Sequence, residues 1–376
     1  MKILMLTTNS SLMDGINRHI LTVAPTVNRY SDCEVAVCTV LPRAVLAEAL
    51  EKEGVRTFSL NAASGHDGKI FAAFQEVMRE FDPDIIHSHV MALYERMILS
   101  TFYRTKKYVN TVHGISDKVI HESFRMKLNK WLDSIFRIHY DATCYVSNGV
   151  RQFRSRGLDQ KNEYTIYNPL QFGEVPGKEY KLHKLIGVSE TVPIIGTSCR
   201  LAEVKQPALF TRVMCRVLQQ DDNAHAVVMG DGNETIKKTM KGIVDECNVS
   251  ERFHFLGYRQ DAPELVRDLS CFVMTSISEG LPTSILEAMA SKTPFAMMVG
   301  NGGLKDIAEL NRSEGPIGIV VPAGDVEAQA RRICDLIHDR EYAQTLADRA
   351  YEVGRCHFDV GSVCQDLYQV YNIIYE

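Results

Sequence analysis

One local pattern recurs through the sequence: a short β-rich run, a loop, and then a longer segment with helical spacing. The runs Ile3–Leu6, Glu34–Val40, Ile85–His89, Tyr108–Val112 and Thr143–Ser147 form a first set. Parallel strands need a crossover long enough to hold a helix, so this alternation predicts parallel βαβ units. The pattern fades through Asn168-Pro169 and the polar stretch GEVPGKEYKLHK, then restarts at Pro193–Ser198. Further strands are expected at Ala226–Met229, Phe253–Leu256, Cys271–Met274, Phe295–Met298 and Gly318–Val320, with helices over Gln206–Leu218 and Asp325–His338. A length of 376 residues also exceeds what one hydrophobic core usually organises.

The expectation is therefore an α/β chain of two Rossmann-like doubly wound domains facing a central cleft, residues 1–170 and 171–357. In open α/β sheets ligands sit outside the carboxyl ends of the strands, so the cleft is where to look for a site. In VGSVCQDLYQVYNIIYE, helical spacing of Val363, Leu367, Val370, Tyr371 and Ile374 predicts a closing amphipathic helix, 358–376, joined to the N-terminal domain.

Composition narrows the function classes. With 45% hydrophobic and 24% charged residues the chain reads as globular, and its net charge of -5 gives no sign of nucleic acid as a partner. The ten cysteines include no CxxC pair and read as reduced core residues of an intracellular protein. The opening MKILMLTTNSS is too short for a signal-peptide core, and no apolar run reaches bilayer length, so a cytoplasmic location is expected. No GxGxxG follows the first strand, which leaves a nicotinamide cofactor without its fingerprint.

The run SEGLPTSILEAMA concentrates the chemistry. A strand gives way to a loop carrying Glu279, Gly280 and Leu281, and a helix opens near Pro282, a residue suited to a first helical turn. The amides of Thr283 and Ser284 would then point out of a helix N-terminus, a ready site for phosphate. Glu287, within that first stretch of helix, is placed to accept bonds from sugar hydroxyls.

At these residues the chain resembles the retaining glycosyltransferases of family four, whose architecture of two Rossmann domains is called GT-B. Glu279 and Glu287, with seven residues between them, match the family's glutamate pair. MDGINRHIL, PDIIHSH, TVHG, CYVSNGV, IYNP, CRLAEVKQP, MGDGN and FLGY extend the likeness over nearly the whole chain. The resemblance implies that Glu279 contacts the donor sugar near the reacting carbon, Glu287 the nucleotide ribose, and Thr283 and Ser284 the diphosphate, with Gly280 and Leu281 in the same donor-binding run. It implies that Arg200 and Lys205 neutralise the departing diphosphate, that His113 touches the donor sugar, that Gly15 lets diphosphate or acceptor approach, and that Gly230 and Tyr258 border the nucleotide. Two positions depart from the family pattern: Asp14-Gly15 replaces a pair of glycines, and Asp306 stands where glutamate is common.

The resemblance thus implies transfer of a sugar from a nucleoside diphosphate sugar, UDP-linked before GDP-linked, to a glycan or lipid-linked acceptor. The setting it suggests is bacterial surface-polysaccharide or lipopolysaccharide synthesis. A nucleotide-sugar 2-epimerase on the same architecture and a non-catalytic sugar-nucleotide-binding subunit are the competing readings. No cofactor or metal is expected. Asp82-Pro83-Asp84 spells a metal-binding D-x-D but reads as a turn before a strand. His87 and His89 share a strand face without a partner cluster nearby in sequence. The basic, apolar-interleaved segment 104–137 fits either a helix on an anionic membrane surface, as a peripheral contact, or an ordinary amphipathic helix facing the core.

Overall fold

The computed structural model describes residues 1–8, 15–64, 67–89, 105–115, 140–155 and 162–376. They divide into two compact units, Met1–Pro169 with Val360–Glu376, and Leu170–Asp359.

The first unit is a parallel sheet of seven strands: β1 Lys2–Thr7, β2 Glu34–Thr39, β3 Arg56–Ser59, β4 Ile85–Ser88, β5 Lys107–Val112, β6 Ala142–Tyr145 and β7 Glu163–Thr165. Their order is β3-β2-β1-β4-β5-β6-β7, so the direction of winding reverses between β1 and β4. Ile3 lies opposite Val35 on one side and Ile85 on the other. Ile3 and Met5 face a core shared with Val23, Val37, Leu367 and Tyr371. Leu4 and Leu6 face a second core with Phe74 and Phe81. A strand covered on both faces has no polar side to show, which is why Ile3–Leu6 reads as a continuous apolar run. The helix Val360–Tyr375 supplies part of that first core, burying Val363, Leu367, Val370, Tyr371 and Ile374. Each such aliphatic side chain stabilises the fold by about 1.5–3 kcal/mol relative to exposure.

The second unit repeats the scheme with β8 Ile194–Ser198, β9 His225–Met229, β10 Phe253–Gly257, β11 Cys271–Met274, β13 Phe295–Met298 and β15 Ile319–Val321. The order β10-β9-β8-β11-β13-β15 reverses between β8 and β11. A separate short ladder joins β12 Ser278–Glu279 to β14 Asn301–Gly302. The helix Pro207–Gln220 starts on a proline, whose missing N–H costs nothing at a first position, and buries Phe210, Val213 and Val217. These pack with Val228, Val273, Met298 and Ile333.

Several sequence expectations meet particular outcomes. Asp82 and Asp84 serve structure: Asp82 is the left-handed cap of the helix Ile70–Phe81 and pairs with Lys106, while Asp84 accepts from the Lys2 amide at 2.7 Å. All ten cysteines are free thiols, but Cys356 is exposed rather than in the core. Most of the basic segment, including 116–137, lies outside the described residues, as does Asp14. Among the described residues no helix is long and apolar enough to cross a membrane.

Candidate active site

In the second unit the two segments that leave the sheet on either side of its reversal, after β8 and after β11, are bonded to each other. The Thr275 hydroxyl donates to the carbonyls of Lys205 and Gln206 at 3.2 and 3.3 Å, and the Ile277 amide donates to the Val204 carbonyl at 2.8 Å. The chain then enters β12, so Glu279 sits in a short strand and not in an irregular loop. Its backbone is fixed from the far side by pairing with Gly302, by Asn301 N–H donating to Ile277 at 2.8 Å, and by Gly303 N–H donating to Gly280 at 3.0 Å.

This double anchoring brings together two predicted residues 74 positions apart. Lys205 Nζ donates to both carboxylate oxygens of Glu279, at 2.6 and 2.7 Å. The lysine side chain is 22% exposed and the glutamate 11%, so the pair is partly shielded and still reachable. Arg200 lies exposed on the same post-β8 segment.

Immediately beyond Glu279, Pro282 caps the helix Thr283–Ala290 from the preceding position instead of lying inside it. Its carbonyl accepts from Ile285 and Leu286 at 2.9 and 3.2 Å. The amides of Thr283 and Ser284 belong to the first turn, where no intrahelical carbonyl is available, and they carry the positive end of the helix dipole. Thr283 is exposed, Ser284 and Glu287 are half-buried, and Ile285, Leu286, Ala288 and Met289 hold the opposite face in the core. A carboxylate-bound lysine beside an uncompensated helix N-terminus is an arrangement able to receive an anion.

Two glycines are required by close backbone approach. A Cβ on Gly230 would lie 1.8 Å from the Cys199 carbonyl oxygen, and one on Gly303 would lie 2.5 Å from the carbonyl oxygen of Gly280. The Gly230 amide also donates to Gly257 at 2.7 Å. Packing of the post-β8 segment thus accounts for Gly230 without any ligand. Among the described residues nothing lies within 4 Å of a Cβ added at Gly15, so they place no demand there. Tyr258 is 54% exposed and free of the core.

In the first unit, the matching reversal between β1 and β4 carries a group of histidines. His89 directly follows β4, and its amide donates to Leu6 at 3.0 Å; His113 directly follows β5. His89 Nδ1 and His113 Nε2 are 2.9 Å apart. His19, on the helix Gly15–Asn28, sets its ring edge-on to His113 with centroids 4.9 Å apart. Burial keeps all three imidazoles neutral: it lowers His19 to about 4 and brings His89 and His113 well below the usual histidine value. His87 turns elsewhere, its Nδ1 to the Tyr371 hydroxyl and its Nε2 to Thr111 Oγ1 at 2.7 Å. The rings of the same-face pair His87 and His89 lie with centroids 4.2 Å apart, but both His87 nitrogens are engaged elsewhere. His89 finds its partners in His113 and in His19, which sequence reasoning passed over; the one available signal was its position a single turn into the helix after β1.

Both units match known families. Residues 13–171 match Glycosyltransferase Family 4, and residues 180–353 match Glycosyl transferases group 1. An uncharacterized glycosyltransferase of Methanocaldococcus jannaschii is 22% identical over 258 residues, 64% of this chain and 62% of that protein. The lipopolysaccharide core biosynthesis mannosyltransferase LpcC of Rhizobium leguminosarum bv. viciae is 32% identical over 182 residues, 48% of this chain and 50% of that protein. The chain thus spans less than two thirds of either relative. Anabaena HepE, solved in complex with UDP and glucose, superimposes with a TM-score of 0.82 at 19% identity, covering 99% of this chain and 100% of that one. The chain belongs to the family-four glycosyltransferases of GT-B architecture.

Proposed function

We propose that the enzyme moves a sugar from a UDP-sugar to a hydroxyl of a glycan or lipid-linked acceptor, with retention of anomeric configuration, in bacterial surface-polysaccharide or lipopolysaccharide synthesis. The observation that carries the reading is the Lys205–Glu279 pair beside the N-terminus of the helix Thr283–Ala290. The names of LpcC and of the HepE complex support the polysaccharide setting and the uridine donor.

In this reading the amides of Thr283 and Ser284 hold the diphosphate, with Gly280 and Leu281 lining its approach. Glu287 receives the ribose, Gly230 and Tyr258 border the nucleotide, and Glu279 and His113 contact the donor sugar. As the bond from the anomeric carbon to phosphate breaks, charge grows on the leaving oxygen. Arg200 and Lys205 offset it, each through a charge-assisted bond contributing about 1.5–3 kcal/mol. The acceptor oxygen attacks from the face the diphosphate leaves, and its proton passes to the departing phosphate oxygen, so no covalent nucleophile is needed. Neither metal nor cofactor takes part. Gly15 stands where diphosphate or acceptor backs onto the first unit's helix.

Peripheral contact with an anionic membrane through the segment 104–137 belongs to the same proposal; vesicle sedimentation at low salt tests it, and absence of binding removes it. For the core of the reading, a thermal-shift panel of UDP, GDP, ADP and dTDP should give the largest stabilisation with UDP. Product analysis with the matching sugar donor should then show a new glycoside. Epimerised free donor formed without an acceptor would contradict it.

A further inference from the structure

We propose that His19, His89 and His113 form a binding site for a divalent transition metal ion of the zinc class, one that restrains the enzyme rather than serving it. The three side chains converge from three separate elements: the helix after β1, the end of β4 and the end of β5. Each offers a ring nitrogen, and the three nitrogens lie within 4.8 Å of one another. Tetrahedral zinc with bonds of about 2.0–2.1 Å sets its nitrogen ligands about 3.3 Å apart. The 2.9 Å between His89 and His113 is already close to that spacing. Closing the set asks His19 to move by roughly 1.5 Å at most, within the play of one side chain.

Two further observations point to an occupant. His19 is only 6% exposed, yet its Nδ1 is buried with no hydrogen-bond partner among the described residues. Buried polar atoms are nearly always satisfied, and an ion shared with the other two imidazoles would satisfy this one. The group contains no carboxylate, and an all-imidazole set suits zinc, nickel or copper over magnesium or calcium. His113 is only half-buried, which gives the ion a way in, and three protein ligands leave one tetrahedral position open. An ion held there occupies the imidazole that the donor reading assigns to the sugar. Metal and donor should therefore compete, and this consequence rests on that reading of His113.

The test uses the full chain stripped of metal, with Zn²⁺ alone titrated against a chromophoric chelator and Co²⁺ alone followed by its visible spectrum. One Zn²⁺ per chain is expected, with affinity at least tenfold lower in both His19→Ala and His89→Ala. The Co²⁺ form should show ligand-field bands without a near-ultraviolet thiolate charge-transfer band, which separates the site from the free cysteines. Circular dichroism checks that the variants fold, and His19→Asn and His89→Gln replace any that do not. Equal Zn²⁺ affinity in wild type and variants, or a thiolate band, overturns the proposal. Calorimetric titration with UDP-glucose should give a weaker donor affinity in saturating Zn²⁺. Unchanged donor affinity overturns the inhibitory half together with the donor role of His113, while the chelator result alone decides the ion site.

Discussion

Lys205 Nζ bridges both oxygens of Glu279, across 74 residues of sequence. The pair is thus preformed by the backbone bonds that tie 204–206 to 275–277. An arriving diphosphate has to share a cation already oriented, which spares the reaction the reorganisation of a mobile lysine.

Glu279→Gln keeps the shape and removes the charge. Transfer should fall by about a hundredfold or more, as for loss of one group aimed at a developing charge. UDP affinity should stay within a few-fold of wild type, and the melting temperature should hardly move. Steady-state rates and calorimetric UDP binding check this, and undiminished transfer counts against the site assignment.

Lys205→Ala leaves a carboxylate that is 11% exposed without its partner. A cost of about 1–3 kcal/mol in urea unfolding is expected from the lost bond and the stranded charge. The double variant Lys205→Ala with Glu279→Ala should recover part of that loss, because nothing charged is then left unpaired.

Gly303→Ala forces a Cβ to within 2.5 Å of the Gly280 carbonyl oxygen and 2.7 Å of Leu281 Cα. Relief requires movement of the stretch directly after Glu279, so donor affinity should drop about tenfold alongside a stability cost of about 1–3 kcal/mol. Gly15→Ala meets nothing within 4 Å among the described residues, so stability should hold or rise slightly. Any loss of transfer in that variant reports a ligand's approach and not a defect of folding.

The sequence was most legible where both faces of a strand are covered. The ILML of β1, CFVM and FAMM announce themselves because every residue is apolar. The outermost strands of the first sheet, RTFS and EYT, escaped notice: each is short, pairs on one side only, and carries polar residues in the run. Lys205 and Glu279 were recognisable singly through their motifs, but the bond between them depends on backbone pairing across β8, β11 and β12, which no local pattern encodes. His19 was invisible for the same reason. A histidine one turn into a helix looks like any other until the sheet order sets β1 beside β4 and β4 beside β5.

Buried neutral histidines make the metal-free protein sensitive to acid. Burial holds His19 to about 4 and His87 to about 3, whereas both take up a proton near 6.5 in the unfolded chain. Below pH 6.5 the unfolded state therefore binds more protons than the folded one, and stability falls as pH drops. It should be complete above pH 6.5 and decline toward pH 4, with His19 alone accounting for about 3 kcal/mol by the latter. Urea unfolding at pH 7.5, 6 and 5, with chelator present, checks the slope; a flat profile would show that these rings are solvated.

The helix Val360–Tyr375 belongs to the first unit although the whole of the second unit, Leu170–Asp359, comes before it in the chain. Its Tyr371 hydroxyl meets His87, and Tyr368 Oη donates to Asp32 at 2.7 Å. On the ribosome, then, the portion made earlier waits for a part made later. Its sheet leaves the exit tunnel with part of one apolar face uncovered, and the patch closes only after the second unit has been synthesised and is free to fold. A chain stopped near residue 359 should carry a finished second unit and a first one open along that strip, which makes premature termination there a route to aggregation.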